Sequence, residues 1–204
     1  MPSEPANPPG QHTAAEPIIL RKAGDRISAA EIGIVLASGA LATLAMALVH
    51  LSIRVPGHAI LKPVLPVAFG LALVARPAAG SLAGLGALAS AIMLLVGGWG
   101  EVHASALTSL VLLGPALDLA ERGAHRGTEF IIRGAAAGLV VNLAALGVKL
   151  LAAPLGWESG GGRGFAAVRP LGIFTFAICG ILAGALCVAI RLAGGYRGEL
   201  TDAP

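Results

Sequence analysis

The sequence predicts an all-α integral membrane protein, a compact bundle of about six transmembrane helices. Hydrophobic residues make up 56% of the 204-residue chain and charged residues only 12%, whereas charged residues make up about a quarter of a typical soluble domain. The mean hydropathy is +0.83. Long stretches without Asp, Glu, Lys or Arg recur along the chain, and a helix needs about 20 apolar residues to cross a bilayer. This composition excludes a water-soluble surface.

Five of the six predicted helices follow directly from these uncharged stretches. Three stretches are long enough without help and are assigned to the first, third and sixth helices: residues 32–53, 77–100 and 170–190. Residues 102–117 and 134–148 are shorter and are assigned to the fourth and fifth helices. Because Asp118 and Lys149 can extend to the membrane interface, these two helices can still span, the fifth continuing to residue 153.

The second predicted helix, within residues 56–75, is irregular. Lys62 interrupts its apolar run, and Pro63 and Pro66 disturb its first turns. We therefore expect it to be short, kinked or partly re-entrant. Irregular backbone at membrane depth is tolerated only where protein or a water-filled cavity covers it, so this segment indicates a functional site.

Orientation follows from the positively charged residues in the connections. A cytoplasmic N-terminus puts the majority of the 14 Lys and Arg on that side: Arg21, Lys22, Arg26, Arg76, Arg122, Arg126, Arg133, Arg191 and Arg197. We predict a multi-pass protein of the plasma or inner membrane with both termini in the cytoplasm. Residues 1–28 are then a disordered tail, residues 29–193 the transmembrane domain and residues 194–204 a second tail. The mixed charges of residues 118–133 indicate either a solvated connection or a docking surface.

Several function classes lack sequence support. The chain has no GxxxxGK[ST] phosphate loop, no HExxH, no CxxC and no GxSxG, and no acidic residue lies in the middle of a predicted span. Its basic residues are scattered at segment ends and form no patch for nucleic acid. The sequence therefore predicts a protein that is not an enzyme and that has no cofactor, no metal and no nucleic-acid partner.

Polar side chains gather on the predicted outer side, where three connections meet. The candidate substrate-binding residues are His58, Lys62, Trp99, Glu101, His103, Asn142 and Trp157. Lys62 would pair with an anionic group, Glu101 would accept hydrogen bonds or pair with a cation, and Asn142 would orient the solute.

Each candidate also has a structural alternative. The histidines, with Glu101, could ligate a transition metal or simply meet headgroups and water. The two tryptophans either stack on a ring of the solute or anchor the chain in the interface. Asn142 equally fits a helix-to-helix hydrogen bond, and the glycine-rich residues 156–169 fit either a lid or a slack connection.

Small residues at four-residue spacing mark close-packing helix faces. Gly80 and Gly84, Gly134 and Gly138, and Gly180 and Gly184 form GxxxG pairs. Such faces pack against other helices of the bundle or against a partner subunit. Ala29, Gly33 and Ala37 continue this spacing at the start of the first helix, and we predict that they bind a partner.

Over residues 30–192, this layout resembles the substrate-binding S components of energy-coupling factor (ECF) transporters. Three features carry the resemblance: the small-residue face of the first helix, the sequence VPGHAILKPVLPVAFGLALVARPAAGSLAG of residues 55–84, and the cytoplasmic termini. It implies an outward-facing site for a vitamin-like small molecule, closed by the first and third outer connections. It also implies a transmembrane coupling subunit that grips the first helix and cytoplasmic ATPases that supply energy.

The chain departs from that family's pattern in two ways. No motif assigns a particular vitamin, and the Met-His amino terminus of the related metal-capturing proteins is replaced by Met1-Pro2. Two other function classes stay open. One is a non-transporting assembly protein that packs against other membrane helices through small-residue faces. The other is a membrane enzyme, for which Glu101 and His103 come nearest to an acid–base pair.

Overall fold

Six α-helices and one 3₁₀ turn make up the described part of the computed structural model. The described residues are 27–48, 57–74, 76–99, 103–122, 124, 127–152 and 170–201, with side chains described as far as residue 194. The helices are α1 (Ala29–Leu48), α2 (Leu61–Leu73), α3 (Ala79–Gly97), α4 (Ala104–Arg122), α5 (Gly127–Ala152) and α6 (Pro170–Thr201), and the 3₁₀ turn His58–Ile60 precedes α2. The predicted all-α membrane bundle is confirmed.

The helices differ in their capacity to span a membrane. Within the described residues, five helices are long and apolar enough to cross, and α2 is the exception. With 13 residues, α2 is about 20 Å long against about 30 Å of hydrocarbon. The expectation of a short second helix is therefore confirmed. Pro63 lies in its first turn, where a missing N–H costs little, and Pro66 lies inside it.

The helices close into a ring. In spatial order around the ring they run α1, α3, α4, α5, α6 and α2, and α2 packs back against α1. Helices α1, α3 and α5 begin at one end of the bundle, and α2, α4 and α6 begin at the other. Buried side chains from all six helices fill the centre, among them Val35, Leu71, Leu113 and Val188. A closed ring buries one face of every helix and leaves the opposite face to lipid.

Paired glycines form close helix contacts in this ring. A Cβ placed on Gly138 would come closer than 3.0 Å to the Gly180 carbonyl oxygen, and one on Gly184 would do the same to the Gly134 carbonyl. Gly80 of α3 and Gly114 of α4 meet in the same way. Without side chains the backbones approach closely enough for dispersion contacts to hold the helices together. The three GxxxG pairs therefore pack inside the bundle.

The small-residue face at the start of α1 behaves differently. Ala29, Gly33 and Ala37 are all exposed on the bundle surface. A Cβ added at Gly33 would meet nothing within 4 Å. Among the described residues, this face is therefore not used to pack the bundle itself.

Charged side chains are buried where α1 and α3 begin, which we call the network end. Glu31 of α1 pairs with Arg76, with Nε and Oε1 3.3 Å apart. Arg191 of α6 donates a hydrogen bond from Nη2 to the Arg76 carbonyl at 3.3 Å. Its Nη1 lies 2.8 Å from Glu121 Oε2, a charge contact outside hydrogen-bond angles, and its guanidinium lies 5.9 Å from the centre of the Phe130 ring. These contacts join α1, α4, α5, α6 and the turn before α3.

Asp118 completes the network end by capping α3. Its Oδ1 accepts from the Gly80 N–H at 2.9 Å, and its Oδ2 accepts from the Ser81 N–H and hydroxyl, both at 2.7 Å. The carboxylate is only 4% exposed and satisfies N–H groups that have no partner within the helix. The interpretation of residues 118–133 as a solvated connection is therefore wrong for Asp118 and Glu121, although the pair of Glu129 and Arg133 is half-exposed.

A candidate solute-binding recess

A recess of about 160 Å³ opens at the end where α2, α4 and α6 begin, opposite the network end. We call it the outer recess. Its described walls are Gly57, His58, Ala59, Ser105, Ala106, Ser109, Asn142, Ala145, Lys149 and Phe176. It thus lies between the irregular entry to α2 and the facing sides of α4, α5 and α6. Pro63 and Pro66 are the residues from which the sequence predicts a site at this entry.

Gly57 sets the path of the chain into the recess. Its φ is 83°, in the left-handed region that favours glycine. A Cβ there would also lie 2.8 Å from the Phe176 Cα of α6. Glycine therefore lets the chain turn tightly against α6, and the 3₁₀ turn that follows places His58 in the wall.

Asn142 holds three walls together. The side chain is 2% exposed. Its Nδ2 donates to the Phe176 carbonyl at 2.7 Å and, more weakly, to the Gly57 carbonyl at 3.5 Å. Because both neighbours are acceptors, the NH₂ group must face them, and the amide oxygen is oriented away from them. The helix-to-helix hydrogen bond expected of Asn142 is therefore present, since it joins α5 to α6. The residue also lines the recess, and its role in orienting a solute stays a prediction.

Lys149 belongs to the same face of α5. Asn142, Ala145 and Lys149 are spaced by three and four residues, which places them in line on one side of a helix. From the sequence, Lys149 is predicted only as a membrane-edge charge and not as a residue of the recess wall. The signal that would reveal it is the spacing from the buried Asn142.

Two serines of α4 form the facing wall. Ser109 is buried, and its hydroxyl donates to the Ser105 carbonyl at 3.3 Å. A serine whose proton is used inside its own helix still presents lone pairs as acceptors. Together with the small Ala106 and Ala145, this leaves space beside polar groups, which is what a small polar solute requires.

The remaining candidate residues have different positions. Lys62 is half-buried in the first turn of α2 and does not line the outer recess, and His103 is exposed just before α4. Glu101 and Trp157 lie outside the described residues, as do the proposed lid residues 156–169. Of the predicted residues that the structure describes, His58 and Asn142 are brought together in the wall of the recess.

Trp99 lies at the end of α3 and is 78% exposed. Gly98, with φ 66°, ends the helix, and the Trp99 N–H donates to the Leu94 carbonyl at 3.1 Å. This hydrogen bond and the one from Gly98 to Leu95 form a Schellman cap. The indole folds back over Gly97. This position is typical of a tryptophan in the membrane interface, and Trp99 is not among the described walls of the recess.

The described residues contain no group of three or more His, Cys, Asp or Glu side chains arranged to hold a metal ion. No protein-family model, curated protein or solved structure matches this chain. The outer recess is therefore interpreted from its own chemistry.

Proposed function

We propose that this protein is a membrane-embedded solute-capture subunit of an ECF-type transporter. The observation that carries the proposal is the outer recess, where Asn142 and Lys149 of α5 and His58 of the turn before α2 line one small space. The resemblance of residues 30–192 to S components supports the same function. In this proposal the outer recess faces outward and the network end faces the cytoplasm, in the plasma or inner membrane.

The size of the recess limits the solute. Its described walls border an open space of about 160 Å³, comparable in volume to the closed protein cavity of roughly 150 Å³ that holds benzene. A single-ring vitamin-like molecule fits this volume. The chain has no GxxxxGK[ST] phosphate loop and so cannot by itself use ATP in the Walker manner. The proposal therefore assigns energy supply to a coupling subunit and cytoplasmic ATPases.

Ala106→Leu is expected to abolish solute binding without unfolding the protein, because the larger side chain fills the recess. The measurement is thermal unfolding of the purified full chain in detergent against a library of vitamins and other small solutes. A solute at about 100 times its Kd stabilises by about 2.7 kcal/mol, which we expect for the wild type and not for Ala106→Leu.

Ala144→Leu is the matched control, because Ala144 is exposed on α5 next to the recess-lining Ala145. It should keep the full stabilisation. Equal stabilisation of Ala106→Leu would place binding elsewhere. If no solute stabilises the wild type, the capture function is wrong.

Gly33→Leu is expected to release the coupling subunit while leaving the isolated bundle intact. The exposed Ala29, Gly33 and Ala37 offer a flat surface for another helix, and a leucine would keep that helix away. Co-purification with a transmembrane coupling subunit and ATPases of the same organism measures the loss.

Gly147→Leu introduces the same side chain on α5, where a Cβ also meets nothing within 4 Å. It should leave the complex unchanged. Full retention of the partner by Gly33→Leu would show that α1 is not the contact. If Gly33→Leu loses the partner and no solute stabilises the wild type, the result would instead favour a non-transporting assembly protein. The exposed face of α1 also supports that function.

A further inference from the structure

We infer that the outward face of α2 contacts a bilayer that is locally thinned, from the end of the bundle that carries the outer recess. The partner of this surface is lipid, in a bilayer thinner than the one that the neighbouring α6 contacts. This holds whether or not the protein captures a solute, because it depends on how much apolar surface each of the two helices exposes.

The exposed apolar surface of α2 is short. Leu65, Phe69 and Leu73 are 48%, 59% and 73% exposed, and their spacing of four residues places them on one side of the helix. We call these three residues the α2 stripe. From Leu65 to Leu73 the helix rises by about 12 Å, against about 30 Å of hydrocarbon in a bilayer.

The α2 stripe stops at Lys62. This residue is half-buried and takes the next position on the same side of the helix, three residues before Leu65. The head group of a lysine stays polar whichever group it contacts, so Lys62 does not lengthen the apolar surface. From residue 57 to residue 61, no side chain is exposed. Lipid therefore finds no further apolar surface on the described chain before α2.

The neighbouring α6 exposes apolar side chains over a longer distance. They run from Leu171, which is 76% exposed, to Leu186, which is 42% exposed, a rise of about 22 Å. The apolar surface of α6 is thus about 10 Å longer than the α2 stripe.

Close contacts between the two helices fix their relative level. A Cβ on Gly194 of α6 would lie 2.7 Å from the Ala72 Cβ of α2, and a Cβ on Gly57 would lie 2.8 Å from the Phe176 Cα. Because α6 begins at Pro170, it extends about 9 Å beyond the level of Gly57. The missing apolar surface of α2 is therefore at the end with the outer recess.

A bilayer meets a short apolar surface by thinning, while flanking residues extend to the interface or the helix associates with another helix. Extension of the Lys62 side chain shortens the mismatch by about one helical turn, or about 5 Å. That is about half of the difference between α2 and α6, so the bilayer must thin to remove the rest.

Spin labels at two positions of matched level test this inference. Leu65→Cys on α2 lies seven residues from Ala72, and Leu186→Cys on α6 lies eight residues from Gly194, the two residues that meet. A flat bilayer therefore places both labels at nearly equal depth. Both variants also carry alanine in place of the two buried native cysteines, Cys179 and Cys187, so that only the introduced thiol is labelled.

The full chain is reconstituted in dioleoylphosphatidylcholine, and power saturation with O₂ and Ni-EDDA measures the depth of each label. The label on α2 should be about 5 Å shallower than the label on α6, the part of the mismatch that the bilayer takes up. The difference should shrink in dimyristoleoylphosphatidylcholine, whose shorter chains need less thinning. Equal depths in the thicker bilayer would overturn the inference.

Lys62→Leu lengthens the α2 stripe by about one turn, so the label on α2 should move about 5 Å deeper. Lys62→Arg is the matched control, because it keeps a polar head group and should leave the depth unchanged. A depth that Lys62→Leu does not change would show that the α2 stripe does not set the edge of the bilayer. A label on α2 that neither O₂ nor Ni-EDDA reaches would show that a protein partner covers α2 instead of lipid, which also overturns the inference.

Discussion

Gly138→Ala is expected to force α5 away from α6 and to destabilise the bundle by about 2–3 kcal/mol. The added Cβ would meet the Gly180 carbonyl oxygen and lie 2.8 Å from the Gly184 nitrogen. Both are backbone atoms, which cannot rotate aside as a side chain would. Since close backbone contact is a main source of helix association in lipid, the loss extends along the whole α5–α6 contact. Equilibrium unfolding by SDS in mixed micelles measures it.

Gly147→Ala is the control for this prediction on the same helix. Nothing lies within 4 Å of a Cβ at that position. Alanine favours a helix over glycine by up to about 1 kcal/mol, so Gly147→Ala should be neutral or slightly stabilising. Equal stability of the two variants would show that the α5–α6 contact does not depend on the absent side chain.

Asp118→Ala is the second large effect, with an expected cost of about 3 kcal/mol. The substitution removes the three hydrogen bonds that the carboxylate accepts from Gly80 and Ser81. It leaves the buried Gly80 N–H and the part-buried Ser81 N–H at the start of α3 without partners and removes a negative charge from the positive end of that helix. Thermal unfolding and SDS unfolding should both report the loss.

Two further variants separate the contributions to this cap. Ser81→Ala removes only the hydroxyl hydrogen bond and should cost about 1 kcal/mol. Asp118→Asn keeps the shape of the side chain but turns one acceptor into a donor that faces the donors of α3. The stability of Asp118→Asn should therefore lie between the stabilities of Asp118→Ala and Ser81→Ala. If Asp118→Ala costs no more than Ser81→Ala, the carboxylate is not the main cap.

The two ends of the ring are held together by different contacts. At the network end, ion pairs and a capped helix join four helices and the turn between α2 and α3, and the contact of Arg191 with the Phe130 ring adds α5. The end with the outer recess is joined by the Asn142 amide, and its backbone path depends on Gly57.

The sequence predicts only part of the outer recess. Lys62, Pro63 and Pro66 locate the irregular entry to α2, because their chemistry conflicts with a membrane helix wherever they stand in the fold. Lys149 is not predicted as a recess residue, because a lysine at a helix end has an ordinary explanation as an interfacial charge. Ser105 and Ser109 are not predicted as recess residues either. Serine is common in membrane helices, and its presence does not indicate which surface it faces.

What the sequence determined by itself is the membrane class, the positions of the spanning helices and the weakness of the second one. Those follow from local chemistry, because an uncharged run of sufficient length must avoid water and proline must disturb a helix. Only the tertiary structure decided that the ring brings α2, α4, α5 and α6 around one recess, that Asp118 caps α3, and that the GxxxG pairs pack internally while Gly33 is exposed. Those outcomes depend on which helices are neighbours, and neighbours are set by the packing of the whole ring rather than by any one segment.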